Sequence, residues 1–352
     1  MRYLQKIIGL MFVLLMCGLQ MIPVHAQESN NFTIQKINLK EDINTDSSYF
    51  DLQMKPGDKI TLQVAIHNPS KEEIQVKNQV FSAFTNTNGE IEYTKQADDY
   101  DSSLKIKMSE IAKVKSSDVV AKVPSVEEKI VSVDIQVPKN ALDGVILGSW
   151  HFQEENKEAA GEKSQDGMII KNKYAYALAI KITVNKELDE PNLNLLNITS
   201  GTNNYKKAFL ATIQNNQAAL LTRTKIEAHV TQKGKFETLY QNTMESVNFA
   251  PNSNFEFPVY LGEDQMKAGE YTYRVKVVTQ DPKDGFTDKT WEWNMDFTVL
   301  PQEAKAINNE ALNDPIYEKE WMDYLKEYWW VVAIVLVLLL LLIFFLIFRR
   351  YY

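Results

Sequence analysis

The sequence has little cysteine and little histidine. Its 352 residues include one cysteine, Cys17, and four histidines. Because Cys17 lies within a predicted leader, the mature chain has no disulfide framework, no thiolate metal site and no cysteine nucleophile. The bulky Met16 before it disfavours lipid attachment at Cys17. The other histidines outside the leader, His67, His151 and His229, lack the spacing of metal ligands. We therefore predict no metal and no cofactor.

An excess of positive charge is also missing. The chain has 38 Lys and Arg residues against 46 Asp and Glu residues, a formal net charge of −8. Arg2 and Lys6 lie near the amino terminus, and Arg349 and Arg350 lie near the carboxyl terminus. Without these four positive charges, the net charge of the rest of the chain is −12. A nucleic-acid-binding chain normally carries a basic stripe. The charge therefore argues against a nucleic-acid partner.

Motifs for several catalytic chemistries are absent as well. There is no glycine-rich phosphate loop and no Gly-x-Ser-x-Gly nucleophile turn. Glu154, Glu155 and Glu158 suggest the acid/base pair of a hydrolase, but they fall in a charged segment without apolar anchors. Nothing in that segment holds two carboxylates at a fixed separation. We predict that the protein is not an enzyme and has no catalytic residue.

One long hydrophobic run is present near the carboxyl end. Residues 329–348 carry no charge, and as a helix they would span ~30 Å, the thickness of the hydrocarbon core of a bilayer. Trp329 and Trp330 at one end and Phe348 at the other are typical of membrane interfaces. Arg349 and Arg350 follow at once, which places that end in the cytoplasm. The run predicts a transmembrane anchor.

The amino terminus has the features of a secretory leader. Arg2 and Lys6 precede an apolar stretch, and the small Ala26 follows as a cleavage site. Together with the terminal anchor, this predicts a single-pass type I protein of the cell membrane. The bulk of the chain would be extracellular at the cell surface.

Most of the chain between these ends alternates apolar and polar residues, as half-buried antiparallel strands do. The alternating runs are residues 59–67, 73–84, 129–137, 174–184, 205–215, 222–232, 254–261, 269–280 and 289–300. The alternation slips at Val80 and Phe81, which predicts a β-bulge. Residues 108–112 predict a short helix. Asn68, Pro69 and Ser70 are typical of a turn.

This pattern predicts an all-β protein with two immunoglobulin-like β-sandwich domains in tandem, plus one C-terminal transmembrane helix. Tyr271, at the start of a late strand, is expected to be a corner tyrosine. An alternative boundary between the sandwiches lies within residues 154–166. The predicted division is a signal peptide at 1–26, an N-terminal sandwich at 27–187, a C-terminal sandwich at 188–301, a juxtamembrane stalk at 302–328, the transmembrane helix at 329–348 and a cytoplasmic tail at 349–352.

The candidate glycan contact is formed by Asn86, Asn88 and Tyr93, within the segment TNTNGEIEY. Amide groups and aromatic faces are what sugar recognition uses. The same segment also fits a tight turn at Asn88 and Gly89, with Tyr93 packed on the following strand. Both interpretations remain open from the sequence.

Other polar and aromatic groups have two interpretations each. Asp98, Asp99 and Asp101 suit calcium through their hard oxygen ligands, or form a solvated acidic turn. Residues 281–288 offer the same choice between a binding loop and a plain hairpin loop. Trp150, Trp291 and Trp293 lie on alternating strands, and we expect their side chains in the core.

Four segments resemble the WxL-interacting surface proteins of low-GC Gram-positive bacteria. They are YFDLQMKPG at residues 49–57, QVAIHN at 63–68, AFTNTNGEIEY at 83–93 and VPKNALDGVILGSWHF at 137–152. The layout of leader, two β domains, one span and a short basic tail is similar too. The resemblance implies a first domain that binds peptidoglycan, a second that binds host components, and partner proteins with a WxL domain. It implies no particular contact residue.

The expected function is therefore binding at the cell surface. A membrane-anchored protein would associate with peptidoglycan, with WxL-domain proteins and with host extracellular proteins. Two alternatives fit the same layout: a cell-wall-active enzyme, and a membrane protein that assists export or sensing at the envelope. A cytoplasmic tail of four residues, 349–352, leaves little room for direct signalling and counts against a sensor.

Overall fold

The computed structural model describes residues 32–155, 174–188, 192–280 and 289–311, which divide into two compact units. The first unit contains residues 32–84, 92–155, 174–188 and 217–219. The second contains residues 85–91, 192–216, 220–280 and 289–311. The predicted leader, the predicted span, most of the charged loop and residues 281–288 lie outside the described residues. Among the described helices, none is long and apolar enough to cross a membrane.

The first unit consists of two packed β-sheets and one short helix. Its elements are β1 (Thr33–Lys36), β2 (Phe50–Met54), β3 (Lys59–His67), β4 (Ile74–Ser82), α1 (Met108–Ile111), β7 (Ala112–Val114), β8 (Val120–Val123), β9 (Glu128–Gln136), β10 (Gly144–Glu154) and β11 (Ala175–Val184). One sheet has the order β1-β3-β9-β7, and the other has the order β2-β11-β10-β4-β8. All pairs are antiparallel except β2 with β11. A separate ribbon pairs β5 (Phe84–Thr85) with β6 (Ile91–Glu92).

The core of this unit lies between the two sheets. Alternation puts Leu62 and Val64 of β3 beside Val133 and Val131 of β9, and all four side chains are fully buried. From the other sheet Trp150 enters the same core, where its ring lies 4.9 Å from that of Phe152. Burying one large apolar side chain contributes about 1.5–3 kcal/mol, so such rows hold the sheets together without a disulfide. The predicted core position of Trp150 is confirmed.

The bulge predicted at Val80 and Phe81 is wrong. Strand β4 pairs with β10 from Val76 to Ser82 without a shift in register. Phe81 lies on the outer face, where its ring centroid is 5.5 Å from that of His151. Because Phe81 is an apolar residue on the outer face, it interrupts the apolar–polar alternation in the sequence although the strand has no bulge. The predicted short helix is present as α1, one residue shorter than expected.

A buried asparagine forms the predicted turn between β3 and β4. The Oδ1 atom of Asn68 accepts a hydrogen bond from the N–H of Ser70 at 2.9 Å. Its Nδ2 group donates to the carbonyls of Glu72 at 2.8 Å and Val123 at 3.1 Å. The side chain thus takes the place of a strand partner where the backbone leaves the sheet.

The second unit also packs two sheets face to face. Its elements are β12 (Leu193–Asn203), β13 (Lys206–Asn215), β14 (Leu221–Gln232), β15 (Thr238–Phe249), β16 (Ser253–Tyr260), β17 (Gly269–Thr279), β18 (Thr290–Val299) and α2 (Pro301–Ala311). The three-stranded sheet has the order β12-β13-β16, and the four-stranded sheet has the order β15-β14-β17-β18. The alternation does not predict β12 or β15, whose residues are mostly polar and are mostly exposed or only half-buried.

Several aromatic side chains pack together in the core of the second unit. The ring of Phe209 lies 5.2 Å from that of Tyr271 and 5.1 Å from that of Phe297. The Tyr271 hydroxyl donates to the carbonyl of Lys267 at 2.9 Å, four residues upstream. This is the hydrogen bond predicted for a corner tyrosine. Tyr273 is fully buried and donates to the carbonyl of Phe257 at 3.2 Å.

Helix α2 packs onto this core. Its buried residues are Ala304, Ile307 and Ala311, and its Glu303 accepts a hydrogen bond from the Ser200 hydroxyl of β12. Most of α2 belongs to the segment that the sequence predicts as a stalk. The packed part of the second unit therefore continues beyond residue 301.

The replacement Trp150→Ala should destabilise the first unit by about 3–5 kcal/mol, because it leaves a cavity at a fully buried site. Urea-induced unfolding followed by circular dichroism measures the change. The control is Leu142→Ala in the same unit, where the side chain is 84% exposed and the expected change is within about 0.5 kcal/mol. A similar small loss for both variants would contradict the core role of Trp150.

Candidate functional site

A polar concave surface lies on the first unit where β3, β7 and β9 meet α1. It encloses a cavity of about 690 Å³ that opens to solvent. Its polar lining is Lys59, Thr61, Glu110, Lys113, Asp134 and Gln136, and its apolar lining is Ile60, Ile111, Ile135 and Pro138. We call these ten residues the β3–β9 cavity.

Strand register builds the polar side of the β3–β9 cavity. Thr61 of β3 and Lys113 of β7 are both paired with Asp134 of the central strand β9. The three side chains therefore form one row across three strands. The Thr61 hydroxyl donates to Oδ1 of Asp134 at 2.6 Å, which fixes the carboxylate. Lys59 is paired with Gln136 and adds a second row at the end of the sheet.

The apolar side comes from the other face of the same strands. Ile60 is paired with Ile135, and Ile111 ends helix α1 directly before β7. Ile60 and Ile111 are half-buried, so part of each side chain remains available to a ligand. A recess with two ammonium groups, two carboxylates, a hydroxyl, an amide and aliphatic walls suits a ligand that has hydroxyl, acetamido and carboxylate groups.

The sequence missed this site because its residues are far apart along the chain. Lys59, Lys113 and Asp134 each lie on an ordinary polar position of an alternating strand. Only the register of β3, β7 and β9 brings them into one row. The sequence shows the polar positions of each strand, but it does not show which strands are neighbours.

The structure does not bring the three predicted glycan-contact residues into one unit. Asn86 and Asn88 belong to the second unit, and Tyr93 belongs to the first. The Oδ1 atom of Asn86 accepts from the N–H of Asn88 at 2.9 Å and from the N–H of Glu90 at 3.1 Å, so the side chain forms a turn. Asn88 is exposed. A glycan contact at these residues stays a prediction.

Tyr93 is held in a protonated state. Burial, with a smaller contribution from Tyr49, raises the pKa of its phenol to about 12. Its carbonyl accepts a hydrogen bond from the Ser149 hydroxyl, which lies on the outer face of β10.

The acidic turn also has local hydrogen bonds. The Oδ1 atom of Asp101 accepts from the N–H of Ser103 at 2.8 Å. In the described residues no group of three or more histidine, cysteine or acidic side chains is arranged to hold a metal ion. The possible calcium loop at 281–288 lies outside the described residues.

The remaining aromatic residues have mixed surroundings. Trp291 and Trp293 pack against the core of the second unit, as predicted, but both are only half-buried. His151 is buried on the outer face of its sheet beside Phe81, and its Nδ1 atom has no hydrogen-bond partner within the described part of the chain.

Comparison with family models assigns both halves of the chain. Residues 32–154 match the peptidoglycan-binding domain of the WxL Interacting Protein family. Residues 165–309 match the host-binding domain of the same family. The chain belongs to the WxL-interacting protein family. The resemblance inferred from the four sequence segments is confirmed, including the order of the two domains.

Solved structures similar to this WxL-interacting protein are distant. The chaperone–tip adhesin pre-assembly complex CsuC–CsuE of Acinetobacter baumannii includes a chain of 12% identity and TM-score 0.35, covering 74% of this chain and 97% of that one. A chaperone–tip adhesin complex of CFA/I fimbriae gives 12% identity and TM-score 0.33, covering 74% and 98%. The PapD-like domain 7 of human CEP192 has 10% sequence identity and a TM-score of 0.27, and the match covers 46% of this chain and 90% of that one.

At TM-scores this low, these likenesses carry no argument about this chain. A comparison with curated proteins found no match. The matched family domains are binding domains, and the structure adds an all-β architecture of packed sheets.

The first unit should lose stability between about pH 7 and about pH 5 through His151. Burial lowers the pKa of this imidazole below its usual 6.5, so the folded state favours the neutral ring. As the pH falls below 6.5, the unfolded chain gains a proton there while the folded chain does not. The stabilisation present above 6.5 is therefore lost on acidification.

Replacing His151 by Gln should make unfolding less dependent on pH over this range. Urea unfolding at several pH values measures the slope, with His67→Gln on an exposed position as the control. An unchanged slope in the His151 variant would contradict the argument.

Proposed function

We propose that this WxL-interacting protein is anchored in the membrane of a Gram-positive cell and binds the wall and external proteins. The first unit would bind peptidoglycan, and the second would bind host extracellular components. The proposal is supported by the order of the two family domains along the chain. A protein that carries a WxL domain is the third proposed partner, in keeping with the description of the family.

The observation that carries the first role is the composition of the β3–β9 cavity. Peptidoglycan has acetamido groups and hydroxyls on its sugars and carboxylates on its peptide stems. Lys59 and Lys113 are exposed and would attract the carboxylates. Thr61 and Gln136 would hydrogen-bond to hydroxyls, and Ile60 would cover an acetamido methyl group.

Both units are proposed to be immunoglobulin-like sandwiches. Packed, mainly antiparallel sheets in each unit support this, and so does the hydrogen bond from Tyr271 to Lys267 in the second. Rigid sandwiches present strand faces and loops as binding surfaces, so this architecture suits a role in recognition.

The membrane location is proposed from sequence alone. Residues 329–348 are uncharged and are followed by Arg349 and Arg350, which is typical of a span with its end in the cytoplasm. An anchor at this end would display both units outside the cell.

The double variant Lys59→Ala, Lys113→Ala should reduce retention of the full chain on purified peptidoglycan by about tenfold, because both carboxylate-binding ammonium groups are lost. Co-sedimentation of detergent-solubilised protein with isolated wall measures retention. The matched control is Lys95→Ala, Lys122→Ala, which removes the same charge from two exposed positions of the first unit.

Equal loss in both double variants would mean that binding depends on total charge, and the cavity would not be the site. Release of soluble wall fragments during the same incubation would favour a wall-active enzyme over a binding protein.

A chain ended after Ala311 should leave the membrane fraction, because it lacks residues 312–352 and with them the uncharged run. Cells are fractionated after enzymatic removal of the wall, so that wall binding does not retain the protein. The full-length variant Leu340→Ala, in which the run stays apolar, should remain with the membrane. Membrane association of the shortened chain would contradict the proposed anchor.

A further inference from the structure

Strand β18 forms one edge of the four-stranded sheet in the second unit. It is paired with β17 over ten residues, from Val299 opposite Gly269 to Thr290 opposite Val278, without a register shift. No other described strand pairs with it. Among the described residues, one row of its backbone N–H and C=O groups therefore has no strand partner.

The inward face of β18 is incompletely covered. The residues of β17 on this face are buried, whereas their partners on β18 are all half-buried. The pairs are Tyr271 with Phe297, Tyr273 with Met295, Val275 with Trp293 and Val277 with Trp291. Four large apolar side chains on one edge strand thus keep part of their surface in water, which is unfavourable until something covers them.

The facing sheet explains why this row is open. It has three strands against the four of the sheet that contains β18. Its strand β12 contributes Leu195 and Ile198, which are also only partly buried against the core. Within the part of the second unit that the structure describes, the apolar side chains of β12 and β18 are therefore only partly covered.

The opposite edge of the same sheet is protected and β18 is not. Pairing of β15 with β14 is interrupted by three register shifts. Such bulges are one of the means by which edge strands avoid adding another chain, and lysine or proline on the edge is another. Strand β18, with the sequence TWEWNMDFTV, has no lysine, no proline and no register shift.

The outward face of β18 has a single sign of charge. Glu292 and Asp296 are exposed, and the strand has no basic residue. Lys276 lies 3.0 Å from the carboxylate of Glu292, and Lys233 lies 3.6 Å from that of Asp296. Lys276 belongs to β17 and Lys233 follows β14, so both lysines approach from the side away from the open edge. A strand added at the edge would place its own outward side chains beside Glu292 and Asp296 from the other side.

We propose that the edge of β18 binds an extended segment of a partner protein as an added strand. The segment would have apolar side chains at every second position, which cover Trp291, Trp293 and Met295, and lysine or arginine at positions between them. This inference rests on the proposed role of the second unit in binding an external protein, and it names the surface and the chemistry of that partner.

A second copy of this chain is a worse occupant. Two β18 strands would face each other with only acidic or neutral outward residues, because the strand has no cation. In the antiparallel register centred on Asn294, Glu292 of each copy would lie opposite Asp296 of the other. Like charges directly opposite each other are destabilising, whereas a basic partner strand gains two favourable pairs.

The test uses the full chain in detergent and a synthetic peptide of about ten residues, in which valine alternates with lysine. Hydrogen exchange of β18 amides and the fluorescence of Trp291 and Trp293 report where it binds. We expect protection of β18 amides by at least about tenfold at saturation. A peptide of the same sequence with alternate backbone amides methylated should give no protection, because it cannot pair with the edge.

Charge reversal supplies the second arm. The variant Glu292→Lys, Asp296→Lys should prefer a peptide with glutamate in place of lysine, reversing a preference of about tenfold. The control variant Glu237→Lys, on an exposed loop of the same unit, should keep the original preference. Protection outside β18, equal binding of the methylated peptide, an unchanged preference after charge reversal, or self-association through β18 would each overturn the proposal.

The proposed host-binding role is tested separately from the β18 edge site. It is measured by retention of the full chain on an immobilised preparation of animal extracellular matrix. If the chain is not retained but the peptide still protects the β18 amides, the host-binding role is overturned and the edge site stands. Retention of the chain without protection of β18 amides would overturn the edge site and leave the role.

Discussion

Burial of one apolar face of each sheet against the other is the interaction on which both units depend. The chain outside its predicted leader has no cysteine, so no disulfide restrains the unfolded state. Fully buried side chains such as Trp150, Phe152, Phe209 and Tyr273 must supply the stability instead. This requirement fixes which side of most strands is apolar, and at strands such as β3 and β9 it leaves polar side chains on the other side for recognition.

The two units use that freedom differently. In the first, the outer side of β3, β7 and β9 carries a row of polar groups with a fixed carboxylate at Asp134. In the second, the outer side of β18 is acidic, and the inner side is where covering is incomplete. A polar recess suits a saccharide or a charged peptide stem, whereas an open strand edge suits a polypeptide.

Strands with strict alternation could be predicted from the sequence almost to the residue. Strand β3 begins and ends where the pattern does, β14 begins one residue earlier than its pattern, and β18 is one residue shorter than its pattern at each end. Strands β12 and β15 could not be predicted, because most of their residues are polar and only a few are buried, so no apolar alternation is visible. Phe81 gives a false signal of a bulge for the reverse reason, since it is an apolar residue that packs outside the core against His151. The β3–β9 cavity depends on which strands are neighbours, a property that no single stretch of sequence contains.

Helix α2 has a mechanical consequence. Force that reaches the second unit from its carboxyl end acts first on this helix, which holds to the sheet through Ala304 and Ile307 and through the contact of Glu303 with Ser200. Peeling away a short amphipathic helix requires few bonds to break at one time, whereas sliding β18 along β17 requires a whole ladder to break together. The helix can therefore yield and lengthen the chain under tension while the ladder remains closed. If residues 329–348 anchor the chain as proposed, this yielding would limit the force on a ligand bound to the second unit.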